Sequence, residues 1–302
     1  MSSTLTDLRR KIGGAGDLES VVRTMKAVAA SNISQYENSV RALKDYTRSV
    51  ELGLSVCFRE NGFAPQTQKK EKQTETKKID ILVFGSDQGL VGRFNDIIAD
   101  ETIKKIETLP GQPTLWAVGE RLHTCLTSAD LTPSGCFAVP NSIKAITPLV
   151  GQILLEIEQH DNPETIAELH LLYNRATSGA IFEPYYQQLL PLDESWHRRL
   201  IDLSWPTHHP PDIMGGHEAT LRALIREYLF ISLFKAMAES LAAENASRLA
   251  AMQRADKNIG ELLDELRKNF SRVRHSRMDE ELFDVIAGFE ALKNPPHSFS
   301  RK

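Results

Sequence analysis

The longest hydrophobic pattern in the chain covers residues 217–292, a segment without proline and with only two glycines, Gly260 and Gly288. Its apolar residues recur at steps of three and four, which is typical of an α-helix that buries one stripe. A helix of this length would reach on the order of 110 Å and needs a partner along its stripe. The recurring positions are Leu221, Ile225, Tyr228, Ile259, Leu263, Leu266, Phe270, Val273, Leu282, Val285, Phe289 and Leu292.

The first 58 residues show the same kind of periodicity and offer that partner. Two long periodic helices at opposite ends of a chain most simply pair as an antiparallel coiled coil. Gly13, Gly14 and Gly16 predict a frayed or broken start of this helix, since each glycine costs about 1 kcal/mol relative to alanine in a helix interior. The periodic positions are Met25, Ala29, Ile33, Tyr36, Val40, Leu43, Val50 and Leu54.

Short apolar runs alternate with amphipathic stretches between these two segments. Such alternation predicts an α/β layer with partly parallel strands, a Rossmann-like domain. Prolines flank the last run and favour an edge strand. The predicted strands are 79–84, 114–118, 136–139, 168–173 and 185–190, and the predicted helices are 95–109, 120–128 and 142–159.

These patterns divide the chain into six segments, and the fold class is an α/β domain plus a long antiparallel coiled coil. The segments are an N-terminal coiled-coil helix (1–58), a polar linker (59–78), a central α/β domain (79–192), a connecting loop (193–216), a C-terminal coiled-coil helix (217–292) and a polar tail (293–302).

Composition excludes several classes of protein. A formal net charge of -4 argues against a general nucleic-acid binder. The cysteines Cys57, Cys125 and Cys136 have no metal-binding spacing, so we expect a reduced compartment and no metal. No stretch approaches 18 uncharged apolar residues, so we expect no direct insertion into a membrane.

The glycine-bearing loop of residues 85–92 follows a predicted buried strand, where such loops can bind phosphate. However, it lacks the lysine and hydroxyl residue of a P-loop, and its glycines do not have the G-x-G-x-x-G spacing. A tight strand-to-helix turn is therefore the favoured interpretation, with no catalytic residue and no cofactor.

Basic residues continue over three turns of the C-terminal helix. A solvated coiled-coil face explains them, and so does a surface that meets an acidic partner. The residues are Arg267, Lys268, Arg272, Arg274, His275 and Arg277.

Three blocks of sequence resemble the gamma subunit, the central rotor shaft, of F-type ATP synthases. VVRTMKAVAASNI (21–33) is similar to the first-helix signature of that family. SDQGLVGRFN (86–95) is similar to its D-x-G-L-x-G-x-x-N loop. The third and strongest block is residues 227–258, and YNRATSGAIFEPYYQQLLPL (173–192) is a weaker fourth. The matching loop residues are Asp87, Gly89, Leu90, Gly92, Phe94 and Asn95.

The resemblance implies a noncatalytic rotor that turns inside a ring of alpha and beta subunits and couples ion flow to ATP synthesis or hydrolysis at the beta-subunit sites. It also implies partners outside the ring, namely the epsilon subunit and the membrane ring of c subunits. The expected location is the cytoplasmic side of a bacterial inner membrane, as a peripheral protein.

Carried over position by position, the resemblance implies that Arg23 and Met25 face a beta-subunit lever, with Arg274 and His275 opposite them. His275 and Asp279 stand where the family usually has glutamine and threonine. These departures, a loose first turn and the extra tail suggest a divergent, sodium-linked bacterial branch. The implied apolar bearing tip is Leu282, Val285, Ile286, Phe289 and Leu292.

Two other classes of protein remain open from the residues alone. One is an α/β nucleotide-binding enzyme with a coiled-coil dimerisation arm, which would bind nucleotide saturably without partners. The other is a coiled-coil scaffold tether, which would self-associate through its apolar stripes without a catalytic ring.

Overall fold

A computed structural model describes residues 4–61, 78–111, 113–160, 168–177, 181–209 and 211–293. The chain divides into two compact units. One comprises Met1–Lys26 with Met252–Lys302, and the other comprises Ala27–Ala251. Two long terminal helices contribute residues to both units, and the α/β domain belongs to the second.

The described elements alternate between helix and strand in the middle of the chain, as the sequence predicts. In order they are α1 (Leu5–Asn61), β1 (Ile79–Phe84), α2 (Phe94–Thr108), β2 (Thr114–Val118), α3 (Glu120–Ser128), β3 (Gly135–Phe137), α4 (Ile143–His160), β4 (Glu168–Arg175), β5 (Glu183–Leu190), α5 (Glu194–Ile201) and α6 (His217–Lys293).

The described strands form one five-stranded sheet in the order β3-β2-β1-β4-β5. β1 is parallel to both neighbours, so that Asp80 lies beside Thr114 of β2 and Leu169 of β4. β5 is antiparallel to β4 and forms one edge. Along the chain, β2 and β3 are added to the sheet on one side of β1, and β4 and β5 are then added on the other side. Strand order therefore reverses between β1 and β4, where doubly wound sheets bind their ligands.

Helices cover both faces of this sheet, and each face buries its own core. α2 and α3 pack on one face, where Ile98 and Leu122 bury against Ile81. On the other face, α4 and both terminal helices pack around Leu82 and Phe84. β1 is buried along its whole length, which explains why its sequence is continuously apolar apart from Asp80.

Within the larger unit, α1 and α6 pair antiparallel. The Tyr46 hydroxyl donates to Glu227 Oε1 at 2.6 Å, and Asn32 Nδ2 donates to Asn245 Oδ1 at 3.3 Å. The residue nearer the start of α1 therefore contacts the residue nearer the end of α6, as an antiparallel pair requires. Buried alanines on α6, among them Ala238 at 0% exposure, let the helices approach closely. The predicted coiled coil and α/β domain are both confirmed.

Within the smaller unit, the same two helices again run antiparallel. Lys26 Nζ lies 2.6 Å from Asp256 Oδ2, and the Arg9 guanidinium lies 5.6 Å from the centre of the Phe270 ring. A seven-residue repeat on α1 that our predicted stripe did not include is buried here, together with Met252 and Leu263 of α6. Its members are Leu8, Ala15 and Val22.

The predicted break near the start of α1 is wrong, because the helix runs without interruption from Leu5 through Gly13, Gly14 and Gly16. Apart from the backbone of the helix itself and the neighbouring residues, no atom lies within 4 Å of the ideal Cβ position of any of these three glycines. Ala15 of the buried repeat lies among them, with Leu8 before and Val22 after, and burial of this apolar face outweighs the weak helix propensity of glycine.

The segment predicted as a connecting loop, 193–216, contains helix α5, which corrects that part of the prediction. Asp193 caps the helix by accepting from the Ser195 backbone N–H. Trp196 and Leu200 are buried against Phe58 of α1. At eight residues the helix is too short for its periodicity to stand out in the sequence.

The predicted linker and tail fall mostly outside the described residues, namely 62–77 and 294–302. α1 extends through Asn61, so the first residues of the predicted linker are helical. The Arg59 side chain donates to the carbonyl oxygens of Ile201 and Leu203, which joins the end of α1 to the end of α5.

Candidate functional site

The β1–α2 loop, residues 85–93, carries the predicted family loop, and Asp87 is its anchor. One carboxylate oxygen of Asp87 accepts from the Glu120 backbone N–H and the other from that of Val139, each at 3.0 Å. Glu120 begins α3 just after β2, and Val139 follows β3. A single side chain therefore ties together the loops that follow three neighbouring strands.

Asn95, the last residue of the predicted loop motif, closes the loop from the other end. Its Oδ1 accepts from the Ser86 N–H at 2.9 Å, and its Nδ2 donates to Ser86 Oγ at 2.8 Å. Ser86 Oγ in turn donates to the Gln88 carbonyl. Both side chains are buried, so this chain of hydrogen bonds satisfies polar groups that would otherwise be costly to bury.

The tip of the loop has the backbone geometry that its glycines suggest. Gly92 has a φ of 60°, in the left-handed region that favours glycine, and Leu90 has a φ of 63°. Leu90 is 61% exposed, and nothing lies within 4 Å of the Cβ position of Gly89. The tip thus presents an apolar side chain in an uncommon conformation to the surface.

Two glycines at the base of this loop, Gly85 and Gly119, leave no room for a side chain. A Cβ on Gly85 would lie 2.4 Å from Leu122 Cβ, and one on Gly119 would lie 2.7 Å from the Ser86 carbonyl oxygen. These glycines serve close packing of loop against loop and helix. The interpretation of residues 85–92 as a tight strand-to-helix turn accounts for them.

The predicted contact residues of the beta-subunit lever all lie in the smaller unit. Arg23 is exposed and donates to Glu19 Oε1 at 3.0 Å, and Met25 is half-buried. Arg274 and His275 are exposed on α6. The surface is therefore open where the resemblance expects a partner.

The structure does not bring Arg23 and Met25 opposite Arg274 and His275, and that part of the prediction is wrong. Lys26 pairs with Asp256, and Arg274 lies 274 − 256 = 18 residues further along α6. That separation is about 27 Å at the rise of an α-helix. Periodicity fixes which face of a helix is buried but not the register between two helices.

Three charged side chains, Arg23, Lys26 and Asp256, lie close together in the smaller unit. The hydrogen bond from Lys26, the Lys26 charge and the Arg23 charge hold the pKa of Asp256 below its ordinary value. The ionised carboxylate is thus favoured in the folded chain. This contribution is present above the ordinary pKa of an aspartate and is lost as the pH falls through the lowered value.

The predicted bearing tip is an exposed apolar patch near the end of α6. The side chain of Leu292 lies outside the described ones, and the other four predicted residues are described. Phe283, at 69% exposure, belongs to the same patch and was not predicted. Contiguous apolar exposure of this kind marks a surface that meets another molecule. The exposures are 58% for Leu282, 69% for Val285, 46% for Ile286 and 67% for Phe289.

A buried ion pair in α6 was not predicted at all. Arg248 Nη2 lies 2.6 Å from Glu244 Oε1, with side-chain exposures of 16% and 7%. Burial raises the pKa of Glu244, the Arg248 charge opposes that rise, and the charge of Asp87 adds to it. Burial and Glu244 also raise the pKa of Tyr36 on α1. The only sign of this pair in the sequence is its four-residue spacing. Exposed ion pairs such as Glu218–Arg222 have the same spacing, so the sequence does not show that this pair is buried.

Two further properties concern the described part of the chain only. It contains no group of three or more His, Cys, Asp and Glu side chains able to hold a metal ion. None of its helices combines the length and the apolar character that a membrane span requires.

Comparison with known proteins gives matches along nearly the whole chain. A family model described as ATP synthase matches residues 4–292. The ATP synthase gamma chain of Nautilia profundicola is 25% identical over 305 residues, covering 96% of this chain and 99% of that protein. The gamma chain of Moorella thermoacetica is 26% identical over 293 residues, covering 96% and 99%.

Solved structures share the fold. A chain of the Euglena gracilis mitochondrial ATP synthase (OSCP/F1/c-ring, rotational state 3) matches with a TM-score of 0.65 at 16% identity, covering 99% of this chain and 98% of that one. A chain of the Tetrahymena thermophila mitochondrial ATP synthase central stalk and c-ring matches with a TM-score of 0.54 at 23% identity, covering 78% and 99%.

Proposed function

This chain belongs to the ATP synthase family, and from that premise we propose that it is the noncatalytic central-stalk rotor of a rotary ATP synthase. Its relatives of nearly equal length are named gamma chains. The observation that carries the proposal is the exposed apolar patch of residues 282–289, since a bearing needs apolar contact without directional bonds. Ion flow at the membrane would turn the rotor, and rotation would drive synthesis at sites on other subunits.

The partners in this proposal are a ring of alpha and beta subunits around the paired helices, an epsilon subunit, and a membrane ring of c subunits. The related structures are of assemblies that contain F1, the central stalk and the c-ring of those enzymes. The location is peripheral, on the cytoplasmic side of a bacterial inner membrane. Membership of a sodium-linked branch is part of the proposal, supported by the departures at His275 and Asp279.

Coupling in such a machine is a reciprocal free energy. The rotor angle changes the nucleotide affinity of each beta subunit, and nucleotide occupancy changes the preferred rotor angle by the same amount. The chain therefore needs faces that differ around its axis. The arginines on its surface and the apolar patch of α6 provide such differences.

The register of the helices divides the proposed lever contacts between two levels. Arg23 and Met25 act at the level of Asp256, and Arg274 and His275 act near the apolar patch. The two pairs would therefore engage different parts of the surrounding ring. The family-loop residues lie in the α/β domain and shape its β1–α2 loop. They are Asp87, Gly89, Leu90, Gly92 and Asn95.

Reconstitution tests the proposed function. Added to its cognate alpha/beta ring, the chain is expected to assemble with the ring and to raise ATP hydrolysis until chain and ring are equimolar. A chain truncated after Lys257 is the control and is expected to lose the bearing and the stimulation. Absence of both assembly and any change in hydrolysis with the intact chain would overturn the proposal.

Arg274→Ala is expected to weaken coupling more than Arg222→Ala does. Both arginines are exposed on α6, but Arg222 is paired with Glu218 at 2.6 Å in the larger unit, away from the proposed lever. We expect a loss of about tenfold or less in coupled turnover for Arg274→Ala, the size of one exposed charged contact. Equal effects of the two substitutions on assembly and torque would remove Arg274 from the lever.

A further inference from the structure

The crevice between β1 and β4 is where an open α/β sheet ordinarily holds a ligand, because the loops from the two strands diverge there. In this chain the crevice is occupied by α6. Ser247 Oγ donates to the Val91 carbonyl at 2.6 Å, and both residues are buried. The helix therefore makes a direct hydrogen bond to the β1–α2 loop at the edge of the crevice.

The β4 side of the crevice is closed in the same way. Asn174, next to the last residue of β4, donates from Nδ2 to the Phe94 carbonyl at 2.9 Å. Phe182, just before β5, packs edge to face on Phe94 with ring centres 5.1 Å apart. Val91, Phe94 and Ala243 form one buried cluster with Phe182 against it.

We infer that this crevice is a mechanical joint: the α/β domain grips α6 at Ala243 and Ser247 with the β1–α2 loop, and the joint carries torque between that domain and the helix pair. This inference rests on the proposed rotor function. A rotor whose outer domain slipped on its shaft would lose the angle that rotation imposes. Small side chains on α6 let the loop backbone reach the helix, and the hydrogen bond fixes its position along it.

Hydrogen bonds of the β1–α2 loop support this role, because they hold the loop in place. Asp87 ties the loop to the ends of β2 and β3, and Asn95 closes it on Ser86. A force that α6 exerts on Val91 through Ser247 thus passes through hydrogen bonds of the loop to the carboxyl ends of β1, β2 and β3. A loop that opened for a ligand would not be tied in this way.

Two substitutions test the joint in the full chain. Ser247→Ala leaves the buried Val91 carbonyl without its donor, and Ala243→Leu places three extra carbons against Val91 and Phe94. Ser49→Ala is the matched control, since Ser49 is exposed on α1 and donates only to its own helix at Asp45. The readouts are amide hydrogen exchange in residues 86–95, ATP hydrolysis by the soluble ring assembly, and ions moved per ATP in vesicles.

Ser247→Ala is expected to speed exchange in residues 86–95 about tenfold, the effect of one lost buried hydrogen bond. Both joint variants are expected to keep hydrolysis by the soluble assembly and to move fewer ions per ATP, with the larger loss for Ala243→Leu. Ser49→Ala is expected to match the unsubstituted chain in all three.

Each contrary outcome has one meaning. Unchanged exchange in Ser247→Ala shows that this bond does not hold the loop. Faster exchange with unchanged ions per ATP in both variants shows that the joint carries no torque. Failure of the unsubstituted chain to support hydrolysis overturns the proposed rotor function instead, and leaves the exchange measurement interpretable.

Discussion

Replacing Arg248 with methionine is expected to lower the free energy of unfolding by about 3–5 kcal/mol at pH 8, because it leaves the buried Glu244 carboxylate without its cation. Glu244 and Arg248 are 7% and 16% exposed and lie 2.6 Å apart. Methionine keeps most of the apolar stem of arginine, so the loss reports charge more than packing. Chemical denaturation followed by circular dichroism measures it.

The chain contains a matched control for this substitution. Arg222 and Glu218 have the same spacing on the same helix and the same 2.6 Å separation, but they are 79% and 77% exposed. Arg222→Met is therefore expected to cost about 0.5 kcal/mol or less. Equal costs for the two substitutions would show that burial of the Glu244–Arg248 pair has no energetic consequence.

The pH dependence gives a second check with a definite sign. The pKa of Glu244 is raised in the folded chain, so at pH values between the ordinary and the raised pKa the folded state holds a proton that the unfolded state has already released. Loss of Arg248 raises that pKa further. The cost of Arg248→Met should therefore grow as the pH rises above the ordinary glutamate value and shrink in acid. Glu244→Gln combined with Arg248→Met should recover part of the loss.

Phe94→Ala is expected to destabilise the α/β domain by about 3–5 kcal/mol, the usual cost of emptying a large aromatic site in a core. Phe94 is 0% exposed and is the first residue of α2. Because its ring packs on Phe182, the cavity would open at the β1–α2 loop. The unfolding of this domain can be followed by the change in fluorescence of the buried Trp116 during denaturation.

Phe283→Ala is the matched control for Phe94→Ala. Phe283 is 69% exposed on α6, so its removal is expected to change the free energy of unfolding by about 0.5 kcal/mol or less. A comparable loss in both variants would mean that the apolar patch packs within the chain. It would then be unsuitable as a bearing.

Much of the fold could be predicted because its signals are local. The continuous apolar run of β1 and the heptad steps of α1 and α6 mark buried faces without any knowledge of their partners. The resemblance to rotor subunits, drawn from short blocks such as residues 86–95, is confirmed by the family match and by relatives named gamma chains.

The errors arose where tertiary contacts decide. α1 continues through Gly13 and Gly14 because burial of Leu8 and Ala15 compensates, and α5 forms because Trp196 finds a core to fill. The residues that bury these side chains are distant in the sequence, so the local pattern does not reveal them.

The candidate site was harder to predict than the fold for the same reason. Residue types placed Arg23 and Arg274 on exposed faces, but the helix register places Arg274 about 27 Å along α6 from Asp256, the partner of Lys26 beside Arg23. Asp87 and Asn95 stood out as motif members, yet only the structure shows what they bond to. Ser247 carried no sequence signal, because its importance depends on a backbone carbonyl more than 150 residues away.

Direct observation of rotation tests the rotor proposal most strictly. Cys136 is exposed in the α/β domain, Cys57 is buried, and Cys125→Ser would leave Cys136 as the accessible thiol. Partial burial of the thiol and the Asp87 charge raise the pKa of Cys136, so a bead linker should be attached at mildly alkaline pH. With the alpha/beta ring fixed to a surface and ATP supplied, the bead is expected to turn continuously in one direction. A bead that only fluctuates while the ring hydrolyses ATP at its full rate would contradict the account.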